Sequence, residues 1–417
     1  MKARQVIGFL IVLLPGALLL PATAAPHWTA SWAASQQIPE PANSVAPADL
    51  TDATLRQIVH LSIGGKQLRV HLSNAFGTQP LHITAAHIAR PVSPASAAIV
   101  AGSDTPLLFS GHADVTIPAG ADYVSDPVDF PMAPLSDLAV TIHYDAAPAQ
   151  ETGHPGSRTT SYIVHGDAVS QADLPGAKTY DHWYQLSAVD VAANDQAVVA
   201  LGDSITDGHN VITNTDGRWT DVLAQRLVAA HRHIAVLNEG IGGNHLLTDG
   251  LGPNALARFD RDVLSPAGVR YVIVLEGIND LGKLSLTPNP TPADHAALVQ
   301  GIIGAFQQIV MRAHAHGIKV IGATIMPFIG SQYYHPGPAN EADRLAVNRW
   351  IRTPGNFDAV VDFDALMRDP ANPGQLVRGL GSDDFLHPTP QGYAAMGNAI
   401  PLSLFSTAGK KKSKTGH

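Results

Sequence analysis

The stretch AVVALGDSITDGHN, residues 197–210, decides the fold of the second half of the chain. Its apolar run at 198–201 is typical of a strand that is buried on both faces. The run continues without a break into Gly202, Asp203 and Ser204, where a turn into a helix is expected. Ser204 is then either a helix N-cap or a hydroxyl presented above the end of the strand. The residues that follow the other strands decide between these two interpretations.

Short apolar strands alternate with amphipathic helices from residue 197 onward. The predicted strands are AVVALGD (197–203), IAVLNEG (234–240), RYVIVLEG (270–277), KVIGATIM (319–326) and AVVDFD (359–364). The predicted helices cover 218–231, 254–264, 293–317, 340–353 and 389–405. Strands that are apolar throughout indicate a parallel sheet with helices on both faces, so we predict a doubly wound α/β domain. Its ligand site is expected beyond the carboxyl ends of the strands.

The N-terminal half has a different periodicity. From about residue 56 to 145, apolar and polar residues alternate with a period of two, which predicts an all-β sandwich. In IVHLSIGGKQLRVHLSN (58–74), the glycine pair between two alternating runs predicts a β-hairpin. Residues 146–178 are rich in Ala, Gly, Ser and Pro and predict a long connection with one short strand at 162–164.

The two ends of the chain have compositions of their own. The first residues, MKARQVIGFLIVLLPGALLLPATAAP, place basic residues before an apolar run and a small-residue segment, as a secretory signal peptide does. The alternative is a membrane anchor, but the run is short and contains Gly8 and Pro15. The tail GKKKSKTGH, residues 409–417, is basic and is expected to be a disordered, solvated end.

We therefore divide the chain into a signal peptide at 1–24, a β-sandwich accessory domain at 25–192, an α/β domain at 193–408 and a basic disordered tail at 409–417. No later stretch is judged long and apolar enough to cross a membrane, which predicts a secreted or periplasmic protein with no stable span after cleavage.

Composition limits the partners. The net charge of -9 offers no basic face, so nucleic acid is not an expected partner. The chain has no cysteine, so an exported form depends on core burial rather than on disulfides. A metal site is not expected either, because there is neither a cysteine nor a His-Glu-x-x-His helix.

The residues after the strands are those that acyl transfer requires. A serine hydroxyl becomes a nucleophile when a base such as His387 takes its proton, and a carboxylate such as Asp384 holds the imidazole in place. Ser204 follows the first strand, and candidate donors for an oxyanion follow the next two: the Gly243 N–H and the Asn279 amide, together with the N–H of Ser204. With these blocks present, the N-cap interpretation of Ser204 is disfavoured.

Four blocks resemble the SGNH subgroup of the GDSL esterase/lipase family. They are GDSITDG, NEGIGGN, GIND and DFLH, in the order that the family has them. The resemblance covers about residues 197–406 and implies a flavodoxin-like three-layer α/β/α sandwich, the SGNH hydrolase fold. It implies Ser204 as the nucleophile and His387 as the base, oriented by Asp384. It also implies Gly243 and Asn279 as oxyanion donors, and no metal or cofactor.

The β-rich half is similar to the accessory domain that some secreted bacterial members of this family carry ahead of the catalytic domain.

Several nearby residues have structural alternatives. Asp383 adjoins Asp384, and the Asp-x-x-His spacing favours Asp384, with Asp383 as a solvated neighbour. Asp203 and Asp207 flank the nucleophile and are expected to satisfy N–H groups of the turn and of the helix start. Asp280 is expected to be a structural partner beside Asn279.

Two predicted loops lie at the same edge of the sheet. They are LGKLSLTPNPTPAD (281–294) and PFIGSQYYHPGPAN (327–340), and the second carries Phe328, Tyr333 and Tyr334. These rings either line the substrate pocket or only pack the loop, and no site role is assigned to them.

The sequence predicts a secreted serine esterase that hydrolyses carboxylic esters of carbohydrates, simple alcohols or lipids through an acyl-enzyme on Ser204. One alternative is an O-acyltransferase that uses the same residues. Another is a catalytically silent protein whose β-sandwich binds polysaccharide. The acyl length, the alcohol and the oligomeric state are left open.

Overall fold

The computed structural model describes residues 26–405, so the predicted signal peptide and basic tail lie outside the described residues. The strands are β1 (Trp28–Ala33), β2 (Ala53–Leu61), β3 (Gly65–Ser73), β4 (Leu81–Ala89), β5 (Thr105–Pro106), β6 (Val115–Ile117), β7 (Asp122–Val124), β8 (Val128–Met132), β9 (Ser136–Tyr144), β10 (Gly153–His154), β11 (Ser161–His165), β12 (Lys178–Tyr180), β13 (Trp183–Tyr184), β14 (Leu186–Ala192), β15 (Gln196–Gly202), β16 (Ile234–Gly240), β17 (Val269–Leu275), β18 (Lys319–Ala323) and β19 (Ala359–Val361). The α-helices are α1 (Ser204–Asp207), α2 (Trp219–Ala229), α3 (Ala255–Phe259), α4 (Ile278–Ser285), α5 (Pro292–Ala315), α6 (Pro338–Arg352), α7 (Phe363–Met367) and α8 (Pro390–Ala399).

The N-terminal part consists of antiparallel sheets, as the period of two predicts. One sheet has the order β1-β14-β3-β7, with β8 also paired to β3. The other has the order β12-β11-β2-β9-β4-β5, with β6 also paired to β4. Buried side chains of both sheets belong to one hydrophobic core. The prediction of an all-β region is confirmed.

The predicted hairpin at 58–74 was wrong. β2 pairs with β9 and β11, whereas β3 pairs with strands of the other sheet, so Gly64 and Gly65 carry the chain from one sheet to the other. The alternation of residues shows which face of a strand is buried but does not identify its neighbour. A Cβ at Gly64 would lie 2.3 Å from the carbonyl oxygen of Met132, so this close crossing requires glycine.

The C-terminal part is built on a parallel sheet with the order β16-β15-β17-β18-β19. In the order of these five strands along the chain this is 2-1-3-4-5, the flavodoxin-like arrangement. Helices α2 and α8 pack together beside β16, and α5 packs with α6 beside β18. The predicted α/β fold is confirmed, and its topological switch point lies between β15 and β17.

Helix α4 replaces the first part of the loop predicted at 281–294. It begins after Gly277, whose φ of 106° lies in the left-handed region. Ile278 and Leu281 are buried in the core, and this packing stabilises a short helix that Gly282 disfavours by propensity. Local sequence alone therefore predicts a loop where tertiary contacts form a helix.

Helix α5 contradicts the prediction that no stretch after the N-terminus is long and apolar enough to cross a membrane. By length and composition it is the one helix among residues 26–405 that is long and apolar enough to cross a membrane, so the judgement that no such stretch follows the N-terminus was wrong. Its residues Ile302, Phe306 and Ile309 are buried, and the helix packs on β18 and α6. About 28% of its apolar window is buried inside the protein.

The change of sheet type falls between β14, the last antiparallel strand, and β15, the first parallel one. The proposed boundary between 192 and 193 lies in this connection and stays a prediction. The two parts are in direct contact, since β1 lies against β16 and the Ala30 N–H donates to the carbonyl of Ala267 at 3.0 Å.

Candidate active site

Ser204 stands at the switch point of the parallel sheet. Strand β15 ends at Gly202, and Asp203 caps α1 by accepting a hydrogen bond from the Ile205 N–H at 2.9 Å. The turn lies tightly against the end of β16, because a Cβ at Gly240 would meet the backbone nitrogen of Asp207 at 2.3 Å. The first helical residue is therefore presented above the carboxyl edge of the sheet.

The structure brings Ser204, His387 and Asp384 into one hydrogen-bonded chain. His387 Nδ1 lies 2.7 Å from Asp384 Oδ2, and His387 Nε2 lies 2.8 Å from Ser204 Oγ. A carboxylate only accepts, so Nδ1 carries the hydrogen and Nε2 is free to accept from the serine hydroxyl. The serine and histidine are only 8% and 3% exposed, which keeps their hydrogen bonds out of bulk water.

Asp384, rather than Asp383, holds the imidazole. Its carboxylate also accepts from the Ser382 hydroxyl and from the N–H groups of Leu386 and His387. Burial alone would raise the pKa of Asp384, but these hydrogen bonds outweigh it and hold the pKa well below the ordinary range. Asp383 is exposed, and its backbone carbonyl accepts from the side chain of Gln332.

The predicted oxyanion donors line the same cleft as Ser204. Gly243 adopts a φ of 67°, and neither its N–H nor that of Ser204 has an acceptor among residues 26–405. Asn279 donates one hydrogen from Nδ2 to the carbonyl of Asn244 at 2.7 Å and accepts at Oδ1 from the Tyr334 hydroxyl at 2.8 Å. This pair of bonds fixes which end of the amide is nitrogen and leaves its second N–H available.

Residues 200–395 match the model of the GDSL-like lipase/acylhydrolase family. This part of the chain is a GDSL-like lipase/acylhydrolase domain. The protein is accordingly a serine carboxylic ester hydrolase, and its substrates are esters. No curated protein matches the chain.

Solved structures of this kind align with about half of the chain. A protein assigned to the G-D-S-L lipolytic family from Desulfitobacterium hafniense DCB-2 is 27% identical, with 49% of this chain and 97% of that chain covered and a TM-score of 0.36. A lipase/acylhydrolase from Enterococcus faecalis is 22% identical, with 49% and 92% covered and a TM-score of 0.37. The acetyl xylan esterase AlAXEase is 21% identical, with 49% and 96% covered and a TM-score of 0.36.

Three aromatic residues of the GDSL-like domain surround the reacting groups without having been assigned there from the sequence. The ring of His209 lies 4.0 Å from that of His387, and the ring of Tyr333 lies 5.4 Å from it, centroid to centroid. Tyr334 is the partner of Asn279. Burial, together with the electrostatic effect of His387 and Arg158, lowers the pKa of His209 to about 4. The only sequence signal for the tyrosines was their place in a loop after the fourth parallel strand.

The aspartates beside the catalytic blocks have separate contacts. Asp280 accepts from the N–H groups of Leu246 and Leu247, at 2.8 and 3.1 Å. Asp203 Oδ2 has no partner among the described residues, and burial raises the pKa of Asp203 to about 7. Asp207 Oδ1 lies 3.0 Å from Nε2 of His154, which belongs to the β-rich part. The expectation that Asp207 satisfies N–H groups of the turn and of the helix start did not include this contact.

The cleft at Ser204 is lined by both parts of the chain. It has a volume of about 630 Å³, and the β-rich part contributes Gln37, Glu40, Asn43, Arg158 and His182 to its walls. His154 fixes this arrangement, because its Nδ1 donates to the carbonyl of Ser35 at 2.8 Å while Nε2 faces Asp207 in α1. The predicted long connection at 146–178 thus supplies one wall of the cleft.

Two groups in the described range have the residue types of a metal site, with ligand atoms within 4.8 Å of one another. The first contains Asp384 and His387 with His209, but both nitrogens of His387 already bond Asp384 and Ser204. The second is His60, Asp137 and Asp216, in which His60 Nδ1 lies 2.7 Å from Asp137 Oδ1. The expectation of a metal-free enzyme stays a prediction.

Proposed function

We propose that the protein is a secreted esterase that removes short acyl groups from polar alcohols such as carbohydrates, through an acyl-enzyme on Ser204. The observation that carries this proposal is the hydrogen-bonded chain from Ser204 Oγ through His387 to Asp384, at 2.8 and 2.7 Å. Ser204 and His387 line the cleft in which the ester has to bind.

The reaction has two acyl-transfer steps. Ser204 Oγ attacks the ester carbonyl carbon while its proton passes to His387 Nε2, and the carbonyl oxygen becomes an oxyanion. The N–H groups of Ser204 and Gly243 and the free N–H of Asn279 stabilise that charge. His387 then gives the proton to the alcohol oxygen as the C–O bond breaks. In the second step His387 takes a proton from water as the water oxygen attacks the acyl carbon. His387 then returns this proton to Ser204 Oγ as the bond between Oγ and the acyl carbon breaks, which releases the carboxylic acid and restores the free serine.

The walls of the cleft support a polar alcohol rather than a long acyl chain. The lining side chains include Gln37, Asn43, His182 and His245, whereas Leu251 and Leu386 are its large aliphatic members. Carbohydrate hydroxyls find hydrogen-bond partners on such walls, while a fatty acyl chain needs a continuous apolar groove. Secretion is proposed from the sequence of residues 1–24, which has the order of a signal peptide.

The test is hydrolysis of p-nitrophenyl esters from acetate to palmitate by the wild type and by Ser204→Ala, with folding of both checked by circular dichroism. We expect kcat/KM to be highest for acetate and to fall by about 1,000-fold or more on loss of the nucleophile. Full activity of Ser204→Ala would reject the acyl-enzyme. Acyl transfer to an added sugar in preference to water would favour the O-acyltransferase, and an inert wild type would favour the polysaccharide-binding protein.

A further inference from the structure

Arg158 is an unusual contribution of the β-rich part to the cleft. Its backbone has a φ of 50°, a left-handed conformation that is costly for a long side chain and persists where the surroundings impose it. Those surroundings are visible: the Arg158 carbonyl accepts from the Asn214 N–H at 2.9 Å, and the Asn214 side chain accepts from the Thr160 N–H at 2.8 Å. The loop is therefore held in the conformation that turns this residue toward the GDSL-like domain.

The guanidinium of Arg158 has no carboxylate partner among residues 26–405. Its Nη2 donates one long hydrogen bond, at 3.4 Å, to Nδ1 of His209, and its Nε is buried without a partner. The fully buried Arg258 differs, since it pairs with Asp262 and Glu276. A cation with a buried, unused donor at a cleft wall is equipped to bind an oxyanion, because the planar guanidinium matches carboxylate and phosphate geometry.

The position of Arg158 assigns it to one side of the ester. His387 must give its proton to the leaving alcohol, so the alcohol lies against His387 rather than against the oxyanion donors. His209 packs on the His387 ring at 4.0 Å between centroids, and Arg158 contacts His209 directly. Arg158 therefore lies on the side of the reacting carbonyl where the leaving alcohol binds.

The carboxylates that line the cleft are not paired with Arg158. The carboxylate of Glu40 accepts from the side chains of Gln37 and Asn43, at 3.1 and 2.7 Å. Asp207 faces His154. His209 is uncharged at neutral pH because its pKa is held near 4, so the positive charge on this wall is that of Arg158.

We propose that Arg158 binds a carboxylate or phosphate group on the alcohol part of the ester, so that the preferred substrates are acyl esters of acidic alcohols. This inference rests on the proposed esterase function and specifies its substrate class. An acidic sugar and a phosphorylated sugar both offer the required oxyanion.

The test compares matched aryl acetates that differ in charge: 3-acetoxybenzoate, 3-acetoxyphenyl phosphate and the neutral 3-acetoxybenzamide. For the wild type we expect kcat/KM for at least one anionic ester to exceed that for the amide by about 10- to 100-fold, the range of a charge-assisted hydrogen bond. Which anion is favoured distinguishes a carboxylated alcohol from a phosphorylated one. Arg158→Gln should remove the preference for the anionic ester over the neutral one, and Arg158→Lys should keep part of it.

Arg349→Gln is the matched control, since Arg349 is exposed on α6, and it should leave every rate unchanged. Equal values of kcat/KM for the charged and neutral esters in the wild type, or a preference that survives in Arg158→Gln, would overturn the inference. The esterase function would still be supported in that case if the acetate ester of 3-acetoxybenzamide were hydrolysed in a reaction that requires Ser204. Binding of 3-hydroxybenzoate against 3-hydroxybenzamide to Ser204→Ala, measured by calorimetry, gives a readout that needs no turnover. Equal affinities there would also overturn it.

Discussion

Asn279 and Tyr334 allow the oxyanion donors to be tested by a graded pair of substitutions. In Asn279→Ala the side-chain donor is lost, and removal of one such donor lowers kcat by about 100- to 1,000-fold in serine hydrolases. In Tyr334→Phe the amide stays, and only the hydroxyl that bonds its Oδ1 at 2.8 Å is lost. We therefore expect a large effect for the first variant and a small one for the second.

The size of the small effect follows from the contacts that remain. After Tyr334→Phe, Asn279 Nδ2 still donates to the carbonyl of Asn244 at 2.7 Å, so one of its two anchors is intact. A net hydrogen bond contributes about 0.5–1.5 kcal/mol, which corresponds to a decrease in kcat of about 2- to 12-fold. Because the oxyanion forms only in the transition state, KM should change little in either variant.

The assay is steady-state hydrolysis of p-nitrophenyl acetate, with kcat and KM determined separately. Tyr333→Phe is the control, since the Tyr333 hydroxyl lies 3.4 Å from His209 Nε2 and is not bonded to Asn279. A decrease for Tyr334→Phe as large as that for Asn279→Ala would mean that the tyrosine hydroxyl itself contacts the oxyanion. An Asn279→Ala enzyme within threefold of the wild type would refute the assignment of Asn279 as a donor.

Two further substitutions test the surroundings of the site. A Cβ at Gly282 would lie 2.4 Å from the ring of Tyr334, so Gly282→Ala should displace the ring and lower kcat for p-nitrophenyl acetate at least as much as Tyr334→Phe. The control is Gly304→Ala, on an open helix surface, which should leave kcat unchanged. Equal activity of the two variants would contradict the expectation. Burial raises the pKa of Asp203 from an ordinary value near 4 to about 7, so the stability that its neutral form contributes is complete below pH 4 and is lost as the pH rises through 7. Asp203→Asn does not titrate, and its melting temperature relative to the wild type should rise between pH 5 and pH 8; a difference that is constant over this range would contradict the raised pKa.

The α/β domain and its reacting groups could be predicted from the sequence because they depend on local patterns. Each parallel strand is apolar throughout, and the polar blocks follow the strands directly. In a 2-1-3-4-5 sheet the residues after the first three strands meet at one edge, which is where Ser204, Gly243 and Asn279 lie. The spacing between Asp384 and His387 is fixed by a single turn, so it too could be read directly.

Contacts between distant segments could not be predicted in this way. The alternation in β2 and β3 showed their buried faces, but nothing local indicated that they belong to different sheets. Residues 146–178 have weak periodicity, so His154 and Arg158 carried no sign of a place beside Ser204. The hydrogen bond between Tyr334 and Asn279 joins helix α4 to a loop 55 residues further along the chain, and loop conformation is set by packing that a sequence pattern does not contain.

The contacts across the two parts indicate that the β-rich part is a component of the site rather than a detachable module. Asp207 lies in the helix that begins with the nucleophile, and His154 of the β-rich part contacts it in the interior. Loss of the His154 side chain would leave this carboxylate buried without its partner, and loss of the Ser35 hydroxyl would remove a partner of Arg258 and Asp262, which are buried together. Buried polar groups that lose a partner are costly, so the nucleophile's turn depends on the β-rich part for its stability. Arg158 belongs to the same β-rich part, so the substrate preference that we propose for it depends on this interface as well.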